Sequence, residues 1–301
     1  MKHRFTKPLE YLISAPLTGL VLLLSFLPLR VLLGMAPSIA FLIRDVFRYR
    51  RGVVTSNLTR AFPEKDHKEI QSIRRAFYRH LSEVILETIH LLRAREDRIR
   101  GRCQFTPEGL DTLKSFHEKG QSVVCMTGHL GNWEWTGPAF RYNQPFLPVS
   151  AYHPLSNKIF NWLIVRIRMR YAHALVPMDE VARSLLRMRS AEKPMVMGLI
   201  ADQSPPRKNA YWLTFLNQET AFFSGPEKLA KKLRTPMVFV AIRKAGPGQY
   251  LLHVETITDQ PHTLPDEEIT LCYARLLEKE IHASPATWLW SHRRWRKKRI
   301  Q

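Results

Sequence analysis

Two residues able to handle a proton stand five positions apart in the run His129-Leu130-Gly131-Asn132-Trp133-Glu134. Five is not the i, i+4 step that stacks two side chains on one helix face. The pair can meet if His129 lies in a loop and Glu134 in the first turn of the helix behind it. An imidazole acting as a base needs its far nitrogen held, which fixes tautomer and ring direction, and a carboxylate does this well. So arranged, His129 is a candidate general base and Glu134 its orienting partner, a step worth about 10²–10⁴-fold in rate. A structural His–Glu contact would use the same two residues, and the chain has 12 histidines. No Gly-x-Ser-x-Gly element accompanies the pair, so direct transfer to an external hydroxyl is simpler than a covalent enzyme intermediate.

The elements around the run suit that chemistry. Ser122-Val-Val-Cys-Met-Thr-Gly128 is a short β-branched apolar stretch ending in glycine, the pattern of a buried strand that delivers its end to a loop. Further strand-like runs are Phe146–Tyr152, Pro194–Ala201, Tyr211–Phe215, Pro236–Ile242 and Tyr250–Thr256. Helical spacing appears over about 156–171, 179–190, 225–234 and 265–283, the last opening with Pro265 and an acidic first turn. Upstream, Asp66 and Glu69 read as a capping box, and Ile73, Phe77, Leu81, Val84, Ile85, Thr88 and Leu92 recur at helical spacing to about residue 93. Alternating strands and helices predict an α/β domain, with functional groups beyond the carboxyl ends of strands.

Forty-six basic residues against 26 acidic ones give a net charge of +20. The field attracts polyanions: anionic lipid headgroups, an acidic carrier protein or nucleic acid. The cysteines Cys103, Cys125 and Cys272 are far apart and form no Cys-x-x-Cys or zinc spacing. They fit a reduced, cytosol-facing domain, with no metal and no cofactor expected. Tyr11–Leu29 carries no charge over 19 residues, about enough to cross a hydrocarbon core of ~30 Å. After Arg30 a shorter apolar stretch, Val31–Ile43, contains Gly34 and Pro37. Basic residues lie on both sides (Lys2, Arg4 and Lys7, then Arg44, Arg48, Arg50 and Arg51). A re-entrant or interfacial helix pair satisfies the positive-inside rule better than one span. A cleaved signal peptide or a buried hairpin are the competing readings. The expectation is a membrane anchor over residues 1–50 and a catalytic domain over 51–301.

Beyond the His–Glu run, further segments occur in a familiar order. They are Tyr152-His153-Pro154-Leu155-Ser156-Asn157 followed by Trp162, then Arg168-Met169-Arg170, Asp202-Gln203, Gly225, and Trp290-Ser291-His292-Arg293-Arg294-Trp295. With His129-x4-Glu134 and the apolar amino terminus, the chain resembles the late (secondary) lipid A acyltransferases of Gram-negative envelopes. These share their His-x4-Asp/Glu core with the glycerolipid acyltransferases. The resemblance implies a mixed central sheet flanked by helices and an acyl thioester donor, normally acyl carrier protein. It also implies a hydroxyl acceptor on a phosphorylated membrane glycolipid, and an inner-membrane site facing the cytoplasm. Carried over, His129 and Glu134 are catalytic, and Asn132, Arg168, Arg170, Asp202 and Gln203 bind substrate. Arg170 is favoured as the arginine nearest the chemistry, able to grip a phosphate or offset an oxyanion.

The chain departs from the family pattern at His153, where arginine is more common, and after Asp202-Gln203, where Ser204-Pro205 replaces a more polar continuation. Both departures concern the acceptor, so an amino-acid lipid or a mannosylated lipid is the alternative substrate. Arg166, Arg168 and Arg170 alternate and cannot share one helix face, so some must be solvated. His292-Arg293-Arg294, interleaved with Trp288, Trp290 and Trp295, would also serve as a membrane-surface cluster. A nucleic-acid binder would use the same charge and the tail Arg293–Arg299. The spread of charge along the chain and the apolar amino terminus weigh against it, and no nucleic-acid partner is expected.

Overall fold

The computed structural model describes residues 7–154, 157–178, 180–188, 193–206, 208, 210–296 and 299. Lys2, Arg4, Leu155, Ser156, Lys297 and Lys298, invoked above, lie outside them. The chain opens with helices α1 (Lys7–Leu24), α2 (Leu29–Phe41), α3 (Arg51–Ala61), α4 (His67–Leu91) and α5 (Glu96–Arg100). Then follow β1 (Cys103–Phe105), α6 (Pro107–Glu118), β2 (Val123–Thr127), α7 (Thr136–Asn143), β3 (Leu147–Tyr152), α8 (Lys158–Met169), β4 (Ala174–Pro177), α9 (Val181–Met188) and β5 (Met195–Ile200). The chain continues through β6 (Ala210–Phe215), β7 (Gln218–Phe223), α10 (Gly225–Leu233), β8 (Met237–Gly246), β9 (Gln249–Thr258) and α11 (Glu268–Ala283).

Seven strands form one mixed sheet in the order β1-β9-β8-β2-β5-β3-β4, parallel except for the β8–β9 hairpin. This is the expected α/β architecture. Both faces are covered, which is why the central strands read as unbroken apolar runs. In β2, Val124 and Met126 enter one core while Val123 and Cys125 enter the other. In β8, Met237, Phe239 and Ala241 pack on one side and Val238, Val240 and Ile242 on the other.

Several boundaries differ from expectation for identifiable reasons. The run at Tyr211–Phe215 does not join the sheet; it pairs with β7 in a separate hairpin, the turn carried by Leu216 and Asn217 at positive φ. The final helix starts at Glu268 rather than Pro265. Its first donors are satisfied by buried Glu227 of α10, which accepts from the backbone N–H of Glu267 (2.8 Å) and Thr270 (3.0 Å). Helix α4 does carry the predicted capping box, Glu69 N–H to Asp66 at 2.8 Å and Asp66 N–H to Glu69 at 2.9 Å. Its buried face is polar as well as apolar: Ile85 is exposed while His80, Glu83 and Glu87 are inside.

The amino terminus gives the expected membrane anchor no spanning helix. The uncharged run is broken between α1 and α2, where Ser25 Oγ donates to the Leu22 carbonyl and Pro28 starts the next helix. Among the described residues no helix is long and apolar enough to cross a membrane. Leu32 and Ala36 of α2 are fully buried against Leu86 of α4. Leu23 of α1, Phe41 at the end of α2, and Phe26 and Phe47 beside these helices are more than half exposed.

Candidate active site

The register of the sheet brings together two residues that are 73 apart in sequence. Strands β2 and β5 are parallel neighbours with Thr127 opposite Ile200. The chain therefore leaves both strands at the same edge, and His129 and Asp202 each sit two residues beyond. His129 Nδ1 lies 2.6 Å from Asp202 Oδ1, while the other oxygen, Oδ2, accepts from the His129 backbone N–H at 2.7 Å and Trp288 Nε1 at 2.8 Å. Such closeness needs Gly128: a Cβ there would sit 2.5 Å from Leu277 Cδ1 and 3.2 Å from Asp202 Oδ2.

Asp202 is almost completely buried. Burial alone would raise its carboxyl, but the adjacent His129 and the donors from His129 and Trp288 outweigh this and hold it at about 2. An ionised Asp202 accepts, so Nδ1 of His129 carries the proton and Nε2 is the basic nitrogen. Gln203 places its Nε2 3.3 Å from His129 Nε2, and the imidazole edge packs on Trp133 at 4.8 Å between ring centres. The hydrogen-bonded partner of His129 is thus Asp202, not Glu134, and the Asp202 side chain is buried.

Glu134 has a different partner. Its Oε1 accepts from Arg168 Nη2 at 2.6 Å and its Oε2 from Arg168 Nε at 3.0 Å, with Trp133 Nε1 also on Oε1 at 3.0 Å. Burial works against the charge, yet Arg168 prevails and Glu134 titrates below the ordinary carboxylate range. Arg168 is raised by the same carboxylate. The guanidinium uses one side for this bidentate clasp, so Nη1 takes no part in it. Arg168 is placed by α8, whose N-cap is Asn157: its Oδ1 accepts from the backbone N–H of Ile159 (3.0 Å) and Phe160 (3.1 Å). The Tyr-x-Pro-x-x-Asn segment thus ends in the cap of the helix that delivers Arg168.

Arg170, expected to lie nearest the chemistry, does not. Its Nη1 donates to the carbonyls of Leu91 and Leu92 and its Nη2 to that of Ala94. It satisfies the open carbonyls at the carboxyl end of α4, a structural duty. Arg166 points outward over Trp162. Asn132, expected to touch substrate, is fully buried, with its amide nitrogen on Glu87 (2.7 Å) and its Oδ1 on the Glu134 backbone N–H (3.2 Å). Gln203 alone among the expected binding residues reaches the basic nitrogen of His129.

The carboxyl-terminal element is no surface cluster. Trp288, Trp290 and Arg294 are buried, and Trp295 donates to Thr220 Oγ1 at 2.7 Å. Gly131 N–H donates to the Thr287 carbonyl at 3.1 Å, and Leu130 bridges to Trp288, so this element pins the His129 loop from the far side. Gly131 itself has φ +52, and a Cβ there would lie 2.4 Å from the Ile242 carbonyl oxygen. An apolar cavity runs inward from Glu134 and Arg168 between the sheet and helices α7 and α8; Cys125, Phe140, Val149, Ile167, Val196 and Gly198 contribute to its wall.

Residues 1–297 match the family described as bacterial lipid A biosynthesis acyltransferase. A lipid A biosynthesis palmitoleoyltransferase of Escherichia coli (strain K12) is 27% identical over 274 residues, covering 90% of this chain and 86% of that protein. A lipid A biosynthesis lauroyltransferase of the same organism is 22% identical over 292 residues, covering 92% and 89%. A match over nearly the whole chain means that the protein is an acyltransferase and belongs to the bacterial lipid A biosynthesis acyltransferases.

Proposed function

We propose that this acyltransferase moves a fatty acyl chain from an acyl thioester of acyl carrier protein to a hydroxyl of a lipid A precursor, with His129 as general base. The observation that carries the mechanism is the His129–Asp202 pair, with Nε2 turned away from the carboxylate. An acceptor hydroxyl displacing Gln203 at Nε2 gives up its proton there as its oxygen attacks the thioester carbonyl. The carbonyl π pair moves onto oxygen, and Arg168 Nη1 is the candidate donor to that oxyanion. Collapse re-forms the carbonyl, breaks the C–S bond, and returns the proton from His129 to the departing thiolate. Glu134 does not touch the imidazole; it fixes the plane of the Arg168 guanidinium.

The acyl chain enters the cavity that opens beside Glu134 and Arg168. Gly198 is the position where its depth is most easily changed: a Cβ would meet nothing closer than the Val149 carbonyl oxygen at 3.8 Å. Gly198→Leu is expected to lower kcat/KM for a long-chain donor by about tenfold or more relative to one four carbons shorter, as a few buried methylenes require. Transfer to a lipid A precursor from a series of acyl carrier protein thioesters, read by mass spectrometry, measures this. Unaltered chain preference would place the acyl chain elsewhere, and no transfer from any donor would refute the function itself.

The acceptor lies in a membrane, and the exposed apolar residues at the ends of α1 and α2 and in the segments beside them offer an interfacial hold at the cytoplasmic side of the inner membrane. Exposed Leu23, Phe26, Phe41 and Phe47 are accompanied by Arg30, Arg44, Arg48 and Arg51, the composition of a segment lying in a lipid headgroup layer. Helix α1 also rests on α8, the helix of Arg168. The full chain should sediment with membranes and require detergent for release. Release by high salt alone would mean that charge, not apolar contact, holds it there.

A further inference from the structure

Helix α4 buries a carboxylate that the transfer chemistry does not use. Glu87 is fully buried. Its Oε2 gathers three donors: Asn132 Nδ2 at 2.7 Å, the Tyr250 hydroxyl at 2.7 Å and Trp135 Nε1 at 3.3 Å. Two of these residues, Asn132 and Trp135, bracket Glu134. Asn132 turns its Oδ1 to the Glu134 backbone N–H at 3.2 Å, and its carbonyl accepts from the Trp135 backbone N–H at 3.0 Å, closing the short 3₁₀ turn that carries Glu134. Two turns earlier on the same helix, His80 Nε2 meets the Gly131 carbonyl at 2.9 Å. Burial pushes that imidazole down to about 4, so it is neutral and donates through Nε2–H. One face of α4 therefore grips the loop at Gly131, Asn132 and Trp135.

An acid at a fully enclosed position must give up its hydration, and an apolar side chain of similar volume would fill the space at lower cost. What Glu87 supplies beyond volume is one strong acceptor for three converging donors, which fixes their relative directions.

We propose that Glu87 is a positioning residue for acyl transfer, setting through Asn132 and Trp135 the direction in which Glu134 holds Arg168. The proposal rests on the reading above, in which the Glu134–Arg168 pair serves the transfer. Glu87 touches neither substrate nor reacting atoms, so its effect must pass through Glu134.

That dependence is measurable in the full-length protein with acyl carrier protein thioester and lipid A precursor. Glu87→Leu should lower kcat by about 10–100-fold with less than about threefold change in KM for the donor. In a Glu134→Gln background the same substitution should cost less than about twofold, because the link it breaks no longer matters. The fall in melting temperature should be the same in both backgrounds. Equal fold losses in both backgrounds would overturn the proposal and leave Glu87 a purely structural residue. A Glu134→Gln protein with full activity would overturn the role of the ion pair first, and that of Glu87 with it. If Glu87→Leu does not fold, Asn132→Asp sets two carboxylates of unchanged volume against each other and should lose the same activity. In the Glu134→Gln background this exchange too should cost less than about twofold, and an equal fold loss in both backgrounds would overturn the proposal equally.

Discussion

Asp202→Asn should leave a folded protein whose transfer rate is lower by about 10⁴-fold, the cost that the equivalent exchange has in the Ser-His-Asp triad. The reason lies in where the donors are. The His129 backbone N–H and Trp288 Nε1 both donate to Oδ2 of Asp202, so an asparagine must place its carbonyl there. Its amide NH₂ then faces Nδ1 of His129 and donates to it. The imidazole proton is driven to Nε2, and the nitrogen that should accept a proton from the acceptor hydroxyl no longer can. His129→Ala should fall at least as far. The double variant should be hardly worse than either single one, because the two residues form one device. Expression, melting temperature and sedimentation with membranes establish that the protein remains intact while transfer is assayed. A folded Asp202→Asn protein with transfer within tenfold of the parent would remove Asp202 from the mechanism.

Removing either member of the Glu134–Arg168 pair should harm stability and activity together. A buried ion pair broken from one side leaves an uncompensated charge and costs about 3–5 kcal/mol. The lower end is expected here, because the Arg168 side chain keeps 25% of its exposure against 9% for Glu134. Replacing both residues, as Glu134→Leu with Arg168→Met, should recover most of that loss, since an apolar pair of like volume needs no charge compensation. Activity should not recover: without the guanidinium donor the developing oxyanion loses about 10²–10³-fold of stabilisation. Arg168→Lys should sit between, keeping charge but losing the two-pronged clasp on Glu134. Chemical denaturation and steady-state transfer on the same four proteins separate the two effects. If the apolar pair regained transfer along with stability, the ion pair would be scaffold and Arg168 no part of the chemistry.

The α/β alternation, the burial of β2 and its delivery of His129 to a loop were legible because they are local: a β-branched run, a glycine, a period. The His129 partner was not, because it depends on which strands are neighbours. Glu134 is near in sequence and Asp202 is 73 residues away, and only the parallel β2–β5 pairing with Thr127 opposite Ile200 brings the second to the first. Motif order singled out Asp202 but gave it to the substrate. Arg168 and Arg170 illustrate the same limit: two positions apart at the end of α8, one faces Glu134 and the other closes the end of α4. The length of the apolar amino terminus did not distinguish residues that pack on the protein, such as Leu29, Leu32 and Ala36, from those left exposed, such as Leu23 and Phe41. Glu87 left no sequence signal, being one of three acids on a helix whose apolar stripe drew the reading toward Ile85 and Leu81.

The central claim is that Asp202 holds the proton of His129 on Nδ1, so that Nε2 is the base. Nitrogen NMR of the protein in detergent micelles, with ¹⁵N in the histidine rings and His129 assigned by its loss in His129→Ala, reads this directly. Neutral His129 should show a protonated Nδ1 and a bare Nε2, with the pattern reversed in Asp202→Asn. A proton on Nε2 of the unaltered protein, or one that stays on Nδ1 in Asp202→Asn, would contradict the account.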